Sequence, residues 1–139
     1  MTSSRSALVA VSGLQLAADL AGQVLALRRQ RAFDTPVLAG DPATVGRDSW
    51  WAGTALSPPA WTVAAHGWAL ARLVAGPDPR ATAVLGWVGA ALVPGYLQER
   101  LVRQRLRSPG TDRLETAVVA GGLAAAVAMA VLGRRAARA

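Results

Sequence analysis

Ser12, Gln15, Asp19 and Gln23 follow one another at spacings of three, four and four residues. On a helix that spacing puts all four on one face. A carboxyl, two amides and a hydroxyl on one stripe have the donors and acceptors to bind a proton, pass one along or hold a polar group. The surrounding stretch, Ala7 to Leu27, is almost entirely Ala, Leu, Val and Gly. At about 1.5 Å per residue it is long enough to cross a bilayer. The segment therefore reads as a transmembrane helix with a polar stripe, and neighbouring helices must cover that stripe.

Asp19 carries the most information. A charge near the centre of a span costs about 2.5–3.5 kcal/mol on insertion scales. The Leu and Val residues between Leu8 and Leu27 return roughly 3–5 kcal/mol in all, so Asp19 and the two glutamines leave this helix dependent on its neighbours. The functional reading is a proton or substrate site; the plainer one is a protonated acid that hydrogen-bonds across a helix bundle. His66 joins it by depth. Asp19 lies about 13 Å in from Arg28, and His66 about 12 Å in from a helix starting at Pro58. In antiparallel neighbours the two side chains share a level. A protonated His66 beside Asp19 would offset both burial costs; a neutral His66 bonded to Thr62 or a carbonyl is the alternative.

Tyr96, Glu99 and Arg100 gather at the end of a third span, just past Pro94. They read either as a gate or headgroup-binding group, or as an interfacial tyrosine beside an exposed ion pair. Arg103, Arg105 and Arg107 follow, with Leu97, Leu101 and Leu106 to hold the stretch against a membrane surface. They are candidates for anionic lipid headgroups. No nucleophile-and-base set, phosphate-binding glycine loop or metal-ligand spacing is present. The chain has no cysteine and one histidine, so disulfides, thiolate catalysis and multi-histidine metal sites are excluded. No cofactor and no metal site is expected.

Composition agrees with a membrane setting. Hydrophobic residues make up 53% of 139 residues against 17% charged, and the charges cluster between apolar runs. Net charge is +7, carried entirely by arginine. These arginines flank apolar segments and form no continuous basic face, which argues against nucleic acid and for charge placed beside spans. The arginine, alanine and glycine usage suits a GC-rich bacterial genome. A cleaved signal peptide fits less well than a span, because Gln15 and Asp19 interrupt a run longer than the usual apolar core of such a signal.

The expected fold is all-α: an antiparallel four-helix transmembrane bundle with small-residue packing, its spans at about residues 5–28, 58–75, 81–100 and 113–133. Pro36, Gly40, Asp41, Pro42 and Gly46 mark the longest loop. Asp48 and Ser49 can cap a short helix beginning at Trp50-Trp51, with residues 49–56 along the membrane surface; the alternative is that these residues open the second span. Ser57-Pro58-Pro59 favours a start near Pro58. Pro94-Gly95 predicts a kink late in the third span. Gly86, Gly89 and Ala90 give that span a close-packing surface, and Ala117, Gly121, Ala125 and Met129 give the fourth one another, widened by Gly122. Asp112 and Glu115 have capping-box spacing.

Nine arginines lie in the connections after the first and third spans and six on the other side, which places both termini outside a bacterial plasma membrane. Size and a four-span plan are shared with the small multidrug-resistance transporters. Those carry an embedded Glu and almost no loops, whereas here the acid is Asp19 and the first loop is long, so the chain is not assigned to them. Three functions are compatible with the residues. The first is a non-enzymatic accessory membrane protein, with the bilayer, anionic headgroups and another membrane protein or a second copy as partners. The second is a small proton-coupled transporter using Asp19 and His66. The third is a lipid-modifying membrane enzyme.

Overall fold

Proline and capping acids punctuate this chain. The structure, a computed structural model, describes residues 3–138. The described residues form six α-helices: α1 (Ser3–Arg29), α2 (Val45–Asp48), α3 (Ala60–Ala75), α4 (Pro79–Gln98), α5 (Arg100–Arg107) and α6 (Arg113–Arg138). Asp78 starts α4 by accepting the Ala81 N–H at 3.0 Å, with Pro79 at the first position where no donor is needed. Asp112 starts α6 in the same way through the Glu115 N–H at 3.0 Å. Pro94 lies inside α4, which continues to Gln98. The helix stops where Glu99 turns extended, at φ −73° and ψ 125°.

α1, α4 and α6 are each long and apolar enough to cross a membrane. α3 has 16 residues and spans about 24 Å, short of a hydrocarbon core of about 30 Å. Residues 53–57 are irregular and buried, and the Leu56 carbonyl rests directly on Gly22 of α1. Gly22 lies seven residues before Arg29, so this segment dips about 10 Å below the α1 terminus. Irregular backbone at such depth requires its polar groups to be met within the protein. Here Thr54 Oγ1 accepts the Leu56 and Ser57 N–H groups at 3.2 and 3.0 Å. The Ala55 N–H reaches the Arg31 carbonyl at 3.0 Å, and Ser57 Oγ donates to Gln23 Oε1 at 2.5 Å. Gly53 makes the reversal with φ +91°, and a Cβ there would lie 2.8 Å from the Ser57 carbonyl oxygen.

This segment corrects the expected interfacial helix. Asp48 ends a short helix instead of capping one at Trp50, because its own carbonyl collects the N–H groups of Trp51, Ala52 and Gly53. Trp50 and Trp51 sit in the resulting turn and are exposed. α3 begins at Ala60 after Pro58-Pro59.

α4 packs most extensively on α6, antiparallel to it. Gly86 meets Gly133 backbone to backbone, and Gly89 meets Ala126, Met129 and Ala130. The buried residues of α6 are Glu115, Val119, Gly122, Ala125, Ala126, Met129 and Gly133, so the expected Ala117-Gly121-Ala125-Met129 line is buried in its second half only. Ala117 and Gly121 are exposed. Two constraints set the rotation of α6 there: Glu115 faces the arginines at the helix start, and Gly122 receives the Tyr96 hydroxyl.

Candidate functional site

The polar stripe of α1 faces the interior. Ser12, Gln15 and Asp19 are buried, as is His66 on α3. Gln15 Nε2 donates to Asp19 Oδ1 at 2.8 Å and to Tyr96 Oη at 3.1 Å. His66 Nδ1 lies 3.3 Å from Asp19 Oδ2. Three helices thus bring Gln15, Asp19, His66 and Tyr96 into one closed network. Gln23, next on the stripe, is outside it and holds Ser57. Ser12 Oγ, Gln15 Oε1 and His66 Nε2 have no protein partner. The His66–Asp19 separation exceeds the 2.7–2.9 Å usual for a charge-assisted bond. A proton on Nε2, in an imidazolium or in the neutral Nε2–H tautomer, is buried without a protein acceptor.

A second cluster stands where α1, α5 and α6 meet. The Glu115 carboxylate is fully buried and takes three arginines: Arg29 Nη1 at 3.0 Å, Arg31 Nε at 2.9 Å and Arg105 Nε at 2.7 Å. Arg29 also reaches Asp112 at 2.6 Å. The Glu115 N–H and then Arg29 hold the Asp112 carboxyl below its usual range. The capping box is half formed, since Glu115 gives its backbone N–H to Asp112 but turns its carboxylate to the arginines. Arg105 is consequently removed from the expected headgroup set. Arg103 Nη1 donates to the Leu97 and Gln98 carbonyls at 3.0 and 2.5 Å, while Arg107 is exposed.

The expected Tyr96–Glu99–Arg100 group is taken apart. Tyr96 points inward to Gln15. Arg100 approaches Asp34 Oδ2 at 3.5 Å. Glu99 is 5% exposed and accepts the Asp34 N–H at 2.8 Å, so it forms no exposed pair with Arg100. Burial pushes its carboxyl up to about 7. Glu99 and Tyr96 line a cavity of about 250 Å³ between the dipping segment and α4. Neither Asp19 nor His66 lines it. An adjoining, more open cavity of about 350 Å³ has Glu99, Asp34, Arg100 and Gln104 on its walls.

Sequence reasoning missed Glu115 as an organising residue and missed the cavity. Glu115 looked like a helix cap, and two of its three partners, Arg29 and Arg31, come from a distant segment. A signal for the cavity was present in Gly53, Thr54 and Ser57, small turn-forming residues just before Pro58-Pro59. Among the described residues no group of His, Asp and Glu could hold a metal ion. No family model matches the sequence, and neither curated proteins nor solved structures give a match.

Proposed function

We propose that this chain is a small non-enzymatic integral membrane protein of a bacterial plasma membrane, an accessory subunit whose buried polar network holds its helices together. α3, completed by the dipping segment, joins α1, α4 and α6 as a fourth membrane element in an antiparallel bundle. Both termini lie outside, following the arginine distribution. The observation that carries this reading is the closure of the α1 stripe. Gln15 and Asp19 spend their hydrogen bonds on Tyr96, His66 and each other, and no cavity described above reaches Asp19 or His66. Tyr96 is the one member that lines a cavity; Asp19 and His66 line none of those described, and a pair so placed serves packing and helix registration. The lipid-modifying enzyme, which needs water at both Asp19 and His66, draws the least support. Partners are another membrane protein or a second copy, beside the bilayer itself. Of the expected headgroup arginines, Arg107 remains exposed.

A second reading, a proton-coupled transporter, is favoured by one observation: Asp19 and His66 are in contact beside three polar atoms without partners. Proteoliposomes holding only this protein and an internal pH-sensitive dye separate the two. Under an imposed gradient, proton movement no faster than in empty vesicles is expected. Movement abolished by Asp19→Asn would install the transporter instead.

A further inference from the structure

We propose that the cavity beneath the dipping segment is a binding site for a small organic ammonium ion, with the Glu99 carboxylate as its counter-ion. The site is independent of Asp19 and goes beyond the packing role above. Glu99 is nine-tenths buried, yet among the described residues it has no arginine within ion-pair distance. Its close donors are neutral backbone N–H groups, that of Asp34 at 2.8 Å and that of Leu101. This stands out in a chain of net charge +7. The nearby arginines are committed elsewhere: Arg100 to Asp34, Arg103 to the Leu97 and Gln98 carbonyls, Arg31 and Arg105 to Glu115. A buried carboxylate without a paired cation is costly; Arg103 acts on Glu99 only from a distance, and a ligand cation would complete the pair.

The cavity has the form such a ligand needs. Phe33, Leu92 and Val102 provide apolar wall, and Tyr96 and Phe33 provide aromatic surface of the kind that attracts cations. Glu99 and Tyr96 are its only ionisable lining groups, and it contains no basic side chain. Its volume of about 250 Å³ equals the share of roughly eight waters, which admits one ring or a few carbons with the charged group. Glu99 also lines the open outer cavity, together with Asp34 and with Arg31 and Arg100, both of which are paired to other acids.

The test uses the full-length protein in lipid nanodiscs with calorimetric titration of three probes of one shape: benzylammonium, benzyl alcohol and benzoate. Benzylammonium is expected to bind at least ten-fold more tightly than benzyl alcohol, and benzoate not at all. Glu99→Gln should reduce ammonium affinity to that of the alcohol. Gly95→Leu places a side chain into the cavity from α4, where a Cβ meets nothing within 4 Å, and should abolish binding of both while leaving the helix content unchanged. Equal affinity for ammonium and alcohol, unchanged ammonium affinity in Glu99→Gln, or no ammonium binding at millimolar concentration would each overturn the proposal. Should Glu99→Gln not fold, the probe comparison and Gly95→Leu decide it.

Discussion

His66 Nδ1 stands 3.3 Å from Asp19 Oδ2 in an interior where neither side chain is more than 1% exposed. Two arrangements share this contact. In one, both groups are neutral and a single proton lies between them. In the other, an imidazolium faces a carboxylate. Nε2 carries a proton in both arrangements, so its lack of a partner does not choose between them; the neutral state, which leaves no charge in the interior, is the expectation.

Replacement of each partner separates the two. If both are neutral, Asp19→Asn keeps a hydrogen-bonding group of the same shape and should change the thermal midpoint little. His66→Ala should then cost about as much as a packing defect, roughly 2–3 kcal/mol. A charged pair would make His66→Ala cost about 3–5 kcal/mol by stranding a buried charge. An infrared carboxylate band at neutral pH that disappears in Asp19→Asn would sink the neutral assignment.

Glu115 should be a stability hot spot. Three guanidinium groups from α1, its following loop and α5 converge on it. Glu115→Gln keeps the volume and removes the charge. Arg29 and Arg31 are partly exposed, at 34% and 39%, and regain water, but Arg105 at 11% does not. A loss on the order of 2–3 kcal/mol is expected, read as a lower midpoint in detergent. Loss of order in α5 should accompany it, seen as faster amide exchange over residues 100–107. An unchanged midpoint would show that the cluster is only surface charge.

Much of this organisation was legible in the sequence for a simple reason. Helix-forming apolar runs, their proline and glycine breaks, and the facing of Ser12, Gln15 and Asp19 depend on residues within a few turns of one another. The depth match between Asp19 and His66 needed only helix rise and one boundary. The Glu115 cluster depends instead on side chains that fold over from remote segments, and arginine spacing carries no trace of which acid they choose. The rotation of α6 was misread at its start because Ala117 and Gly121 extend the Ala125-Met129 line as plausibly as Val119 and Gly122 do. Only the partner helix selects between them.

That rotation gives a paired test. At Gly133 an added Cβ would fall on the Gly86 backbone, which has no side chain to move aside; at Gly121 it would meet nothing within 4 Å. Gly133→Ala should therefore force α4 and α6 apart and destabilise the protein by about 1–3 kcal/mol. Gly121→Ala should stabilise it by up to about 1 kcal/mol through helix propensity. The opposite order of midpoints would restore the Gly121 face as the packing surface.

Glu99 sets a pH dependence of definite sign. Its ordinary value is 4.5, and burial raises it to about 7 in the folded chain. The Asp34 and Leu101 N–H groups and the more distant Arg103 act against that rise and the Asp34 charge adds to it; Arg100 is turned to Asp34, and Tyr96 stands one turn away. As pH rises past 4.5 the unfolded chain gives up this proton while the folded chain keeps it, so stability falls between pH 4.5 and about 7. Above the folded value both states are ionised and this contribution levels off. The full span corresponds to about 3 kcal/mol at 1.36 kcal/mol per pKa unit. In detergent, the parent protein should melt at a lower temperature at pH 7.5 than at pH 4.5. Glu99→Gln should flatten that difference and leave a higher midpoint than the parent at pH 7.5, because it removes the buried charge and can still accept the Asp34 N–H. A parent midpoint that rises steadily over this range, or a slope that survives in Glu99→Gln, would place the titrating group elsewhere.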